Sequence, residues 1–208
     1  MYKYVLLFLA LSFFIACSSE KEEEETEVKQ EMTDPHAGVM PGGAHGLNEL
    51  AGGQSNEDFT NPKVNISGIE LTTPDTWERE APASSMRVLQ YALKSDKSLK
   101  VTGFFFGEQD LVKENIERWK NEFAKLDKTN EIKLMGDKIT MITLEGTYNL
   151  KPAPMAQEYT PTADYMVIAA IVPSPEGPYY FKIYGPKATL NKEIESFKKF
   201  LNSYKVVA

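Results

Sequence analysis

Four side chains whose donor atoms suit copper stand within 14 residues of one another: Met32, His36, Met40 and His45. Imidazole nitrogens and thioether sulfurs favour copper, Cu(I) above all, and the glycines between them would let the backbone wrap an ion. The competing reading is a chance grouping in a linker, because no HxxxH-type repeat multiplies the signal. His36 and His45 are the 2 histidines of the chain. From residue 58 onward there is no histidine and no cysteine. The usual general base, thiol nucleophile and zinc ligands are therefore missing from the part that could preorganise them. Ser84, Ser85 and Ser95 have no histidine partner and no nucleophile-elbow glycines, and neither a GxGxxG nor a GxxxxGK(S/T) phosphate loop occurs. Glu78/Glu80 and Glu114/Glu117 are carboxylate pairs that could do acid–base work, but a solvated face accounts for them better. The expectation is a non-catalytic protein with no cofactor, copper being the alternative.

Cys17 is the 1 cysteine of the sequence, so no intramolecular disulfide can form. It follows a positive Lys3 and an apolar run, Val5 to Ala16. That run is well short of the roughly 20 residues that span a bilayer as a helix, which marks it as the apolar region of an export signal. Phe14-Ile15-Ala16-Cys17 resembles the lipobox of bacterial lipoproteins, with Phe14 where leucine is commoner. The resemblance implies cleavage before Cys17 and acylation of its thiol, and two or more acyl chains suffice for stable attachment. An uncleaved anchor and a free thiol are the competing readings.

Charge divides the chain from Cys17 onward into two parts. Residues 17–57 carry 10 acidic and 2 basic side chains, and residues 58–208 carry 20 of each. The net charge of −7 thus belongs to the first part, which includes the run Glu20 to Glu27 and a Gly/Pro-rich stretch from His36 to Gly46. Without periodicity or apolar side chains to bury, this part reads as a flexible, disordered tether. Acidic residues directly after an acylated cysteine also resemble surface-export signals of some Gram-negative lineages; a merely acidic spacer is the alternative. Ser18 stands where inner-membrane retention often uses Asp, which favours the outer membrane. The neutral remainder lacks the basic footprint of a nucleic-acid binder. The organisation expected is a signal peptide over 1–16, a lipidated tether over 17–57 and one domain over 58–208.

The domain alternates strand and helix patterns. Val64–Leu71 reads as a strand, Met86–Leu93 and Leu99–Phe106 as a hairpin, and Ile132–Met135 with Lys138–Tyr148 as a second strand pair. Tyr165–Val172 and Tyr179–Tyr184 read as a further hairpin. Val112, Ile116, Trp119, Phe123 and Leu126 recur at helical spacing and predict a helix from an Asp110 cap through about Leu126. Leu190, Ile194, Phe197 and Leu201 predict a last helix over about Thr189 to Tyr204. Strands such as 167–171 are apolar on both alternating sets, so helices are expected on both sides of the sheet. The sum is an α+β fold: an antiparallel sheet flanked by helices, an α/β/α sandwich. Between Leu150 and Thr162 lies a proline-rich connection. Tyr148, Pro152, Pro154, Met155 and Tyr159 mark it as a possible binding loop, a simple cover over the sheet being the alternative.

Several segments carry a resemblance: Ile69 to Trp77, Ser85-Met86-Arg87-Val88, Asn115-Ile116-Glu117-Arg118-Trp119 and Gly177 to Pro186. They are similar to a group of exported bacterial proteins of unknown function. The order of elements and the strand–Pro–x–x–Trp opening resemble the fold shared by the photosystem extrinsic protein PsbP and the Ran-release nuclear import factors. The resemblance covers about residues 64–204 and implies a PsbP-like sandwich. Function does not transfer with a fold, and no metal-binding or Ran-binding motif can be carried over. The function expected is a non-catalytic binding or accessory lipoprotein of the cell envelope. Its partners would be a membrane, through the anchor, and an envelope protein or small ligand. The alternative is a periplasmic or surface copper-handling protein that uses the tether cluster.

Overall fold

Residues 166–172 contain no charged side chain, no proline and no glycine, and they form the buried half of the longest strand in the computed structural model, which describes residues 58–152 and 157–207. Strand side chains alternate between faces. Met166, Ile168, Ala170 and Val172 enter one apolar core, and Val167, Ala169 and Ile171 enter another on the opposite face. A strand buried on both faces needs cover on both, and the molecule has a helix on each side.

The elements in chain order are β1 (Lys63–Ile66), β2 (Ile69–Thr72), β3 (Trp77–Glu80), β4 (Arg87–Leu93), β5 (Lys100–Phe105), α1 (Val112–Lys120), β6 (Phe123–Leu134), β7 (Ile139–Leu150), β8 (Thr160–Val172), β9 (Tyr179–Pro186), α2 (Lys187–Asn202) and β10 (Lys205–Val206). Seven of the strands make one antiparallel sheet in the order β3-β4-β5-β9-β8-β7-β6. A small sheet, β1-β2-β10, accompanies it. Helix α2 buries Leu190, Phe197, Phe200 and Leu201 against the first core, which Val64, Ile69 and Leu71 of the small sheet share. Helix α1 covers the second core with Trp119, Ile116 and Val112. The architecture is the α+β antiparallel sheet between helices that the sequence predicts.

Two expectations need correction. The segment 64–71 is two strands, because Ser67 and Gly68 both take positive φ (38° and 78°) and turn the chain back as a hairpin. The first helix starts at Val112, with Asp110 Oδ1 accepting the Val112 N–H at 3.3 Å, and it stops at Lys120. Phe123 and Leu126, whose spacing suggests two more turns, lie instead in β6, which pairs with β7 along its length. Tertiary pairing overrides local helical periodicity here. Strands β3 and β10 have no expectation to match; at four and two residues they are too short for a period-2 signal.

Candidate functional site

Helix α1 has nine residues and so spans about 14 Å. At roughly 4.8 Å per strand it cannot roof a seven-stranded sheet. The core beneath it is built from β6, β7, β8 and β9 with Phe104 at the end of β5, and its side of β3, β4 and the start of β5 lies outside that core. On β3, β4 and the start of β5 this face is polar. Lys100 Nζ reaches both oxygens of Glu80 at 2.8 and 2.7 Å, and Gln90 Nε2 donates to Glu80 Oε2 at 3.1 Å. The Lys100 ammonium holds the Glu80 carboxyl below its ordinary pKa, against the opposing effect of burial.

Between this face and the end of α1 lies a cleft of about 810 Å³, bordered by Arg87, Arg118, Asn121, Glu122, Tyr148, Asn149, Lys151, Pro152, Tyr159 and Tyr184. A second hollow of about 420 Å³ continues from it and shares Arg87, Arg118, Glu122 and Tyr184. Its own walls include Met86, Leu99, Phe104, Phe106 and Lys182.

A β-bulge positions Arg87. Strand pairing shifts between Arg87 and Leu89, so Arg87 opposes Phe104 while Leu89 opposes Gly103. Leu89 is in the α2 core; Arg87 is turned to the cleft face, a known use of bulges. There its Nη1 donates to Gln90 Oε1 at 2.7 Å. Arg118, in the last turn of α1, donates from Nη2 to Asn115 Oδ1 at 2.6 Å, and its guanidinium lies over the Phe106 ring, 5.9 Å from the centroid. Among the described residues neither guanidinium has a carboxylate partner. Both are oriented by neutral amides, which leaves their charges and remaining N–H donors for something else.

The floor of the cleft is self-neutralised. Lys182 Nζ forms an ion pair with Glu122 Oε2, and the same oxygen accepts the Tyr148 hydroxyl at 3.0 Å. Burial lowers the Lys182 pKa, opposed by the Glu122 charge and assisted by Arg118. Burial, then the Glu122 charge, raise that of the Tyr148 phenol. The Tyr148 ring is stacked with Tyr184 (5.1 Å, 15°) and Tyr165 (5.9 Å, 16°) and meets Phe123 edge-on (5.2 Å, 87°). Lys151 Nζ stands 4.9 Å from the Tyr159 ring centroid.

Of the residues singled out from the sequence, Tyr148, Pro152 and Tyr159 border the cleft. Pro154 and Met155 lie outside the described residues, as do Cys17 and the Met32, His36, Met40 and His45 cluster. Glu114 and Glu117 are exposed, and Glu117 pairs with Lys120 at 2.8 Å. The cations Arg87 and Arg118 escaped sequence reading, although each sits in a segment that carries the family resemblance. Among the described residues no three His, Cys, Asp or Glu side chains are grouped to hold a metal, and no helix is long and apolar enough to cross a membrane.

No protein-family model matches the chain, and no curated protein matches it. Among solved structures, it is similar to cyanobacterial PsbP (CyanoP) from Synechocystis sp. PCC 6803 at 11% identity and a TM-score of 0.43, over 69% of this chain and 91% of that one. It is also similar to the Ran-binding protein Mog1p of Saccharomyces cerevisiae at 11% identity and a TM-score of 0.47, over 72% of this chain and 97% of that one.

Proposed function

We propose that the protein is a lipid-anchored lipoprotein of the bacterial cell envelope whose domain binds an anionic ligand in the α1 cleft without transforming it. The observation that carries the ligand reading is the pairing of Arg87 with Gln90 and of Arg118 with Asn115. Arg87 is half-buried and Arg118 exposed, and each guanidinium is fixed by a neutral amide rather than by a carboxylate. Two such cations bordering one cleft keep N–H donors available for an anion. Stacked tyrosines and the Asn121 and Asn149 amides supply flat and polar surface around it. Attachment rests on the signal and lipobox pattern ending at Cys17, and the outer membrane on Ser18 after it.

Two measurements test the reading. Binding of inorganic phosphate to the full chain should weaken about tenfold or more when Arg87 and Arg118 are both replaced by Gln. Unchanged binding removes the ligand half of the proposal. Cys17→Ala should move the protein from the membrane to the soluble fraction; retention in the membrane removes the anchor half.

A further inference from the structure

We propose that the ligand is a single-chain alkyl phosphate, its head held by Arg87 and Arg118 and its chain laid along the second hollow. The inference rests on the anion reading and adds the chemistry of both ends of the ligand.

The head follows from the number of unmatched charges. One planar carboxylate satisfies one guanidinium fork. A phosphate monoester carries about −1.5 to −2 charge near neutral pH and three acceptor oxygens, which suits two guanidiniums. Both arginines border both hollows, so a head between them leaves its substituent free to run into the second.

That hollow fits an alkyl chain. Phe104 and Phe106 are stacked, 6.2 Å apart at 9°, and Met86 extends them into an apolar strip. Met86 is 69% exposed, a high value for an unbranched apolar side chain. An extended peptide fits less well. The hollow lies over β4, β5 and β9, which are interior strands with both edges paired, so no backbone donors or acceptors are available for strand addition. Recognition there is by side chains alone.

The test uses the full chain with Cys17→Ala, which removes the acylation site and permits work without detergent. Decyl phosphate, ethyl phosphate, decanoate and the neutral decyl maltoside are titrated by calorimetry. Decyl phosphate should bind at least about tenfold tighter than each of the others, the tail adding apolar burial and the head adding charge. Arg87→Gln with Arg118→Gln should reduce decyl phosphate to the level of the maltoside. Met86→Ser, at an exposed position that the fold tolerates, should weaken decyl phosphate severalfold and leave ethyl phosphate unchanged. Equal binding of ethyl and decyl phosphate, both sensitive to the arginines, overturns the alkyl chain and leaves the anion reading standing. Decanoate as tight as decyl phosphate overturns the phosphate head. A Glu-rich octapeptide that displaces decyl phosphate and binds more tightly overturns the amphiphile in favour of an acidic peptide. Insensitivity of every ligand to the arginine changes overturns both readings.

Discussion

Arg87 and Gln90 are three residues apart on one strand, an odd separation that should place them on opposite faces, yet Arg87 Nη1 meets Gln90 Oε1 at 2.7 Å. The bulge between Arg87 and Leu89 supplies the extra half-period. Its consequence is chemical. Without it Arg87 would point into the α2 core beside Leu89, where a charge could not be solvated.

Gln90 is buried and uses both ends of its amide. Oε1 accepts from Arg87 and from the Ala83 N–H at 3.2 Å, and Nε2 donates to Glu80. Gln90→Leu should therefore cost about 1–3 kcal/mol of stability by leaving those groups unsatisfied. It should also weaken phosphate binding severalfold, because Arg87 loses the acceptor that orients it. Denaturant titration reads the first effect and calorimetry the second; a stability loss with unchanged affinity would show that Arg87 needs no positioning.

Glu122 serves Lys182 and Tyr148 through one oxygen, which makes the two deletions unequal. Tyr148→Phe removes one hydrogen bond from a carboxylate that keeps its ion pair, a loss of about 1 kcal/mol. Lys182→Met leaves the carboxylate in a site where it is only 25% exposed, without its counter-charge, and should cost about 1–3 kcal/mol. Adding Glu122→Gln to Lys182→Met should recover part of that loss. Urea midpoints of the three variants check the order.

Acid should expose a second set of pairs. The Glu145 carboxyl is held below the ordinary value of 4.5, first by the Lys187 ammonium and then by Lys128, as Glu80 is by Lys100. A depressed folded-state pKa means that the unfolded chain takes up the proton first as pH falls. The stabilisation is full above the unfolded value and disappears as pH drops through the folded one. Glu145→Gln should lower stability near pH 7 and converge with the parent near pH 3, by urea unfolding at about those two values. A constant gap between the two would mean that Glu145 acts by packing and not by charge.

The sheet and its two helices are legible in the sequence because their signals are long. The 166–172 run is an unbroken, largely β-branched apolar stretch of strand length, and the Leu190 to Leu201 stripe repeats often enough to define a helical period. The end of α1 is not legible, because Phe123 and Leu126 continue the helical spacing of Trp119 while belonging to β6. That strand has register shifts between Phe123 and Lys125 and between Leu126 and Lys128, which destroy the alternation by which a strand is recognised. Gly146 faces the irregular stretch, where a Cβ would collide with the Lys125 carbonyl oxygen. The cleft is legible only in part for a similar reason. Tyr148, Pro152 and Tyr159 stand beside a long loop and attract notice, whereas Arg87 reaches the site through a bulge that no spacing rule reveals.

Trp77 and Glu193 meet on the opposite face of the sheet. The indole Nε1–H donates to Glu193 Oε2 at 3.0 Å, both side chains being buried, and Thr76 Oγ1 approaches the same oxygen at 3.4 Å. This bond ties the edge strand β3 to α2, while the ring packs against Tyr91, Phe197 and Phe200 at 5.3–5.7 Å. Trp77→Phe preserves much of the packing and deletes the donor, so a buried carboxylate is left with one weak partner. The expected cost is about 2–4 kcal/mol, from a small cavity plus the unsatisfied charge. Adding Glu193→Leu removes the charge and should restore part of the loss, giving a favourable coupling in the double-mutant cycle. Purely additive losses would show that Trp77 acts through ring packing alone, and that β3 is held by apolar contact rather than by its hydrogen bond to the helix.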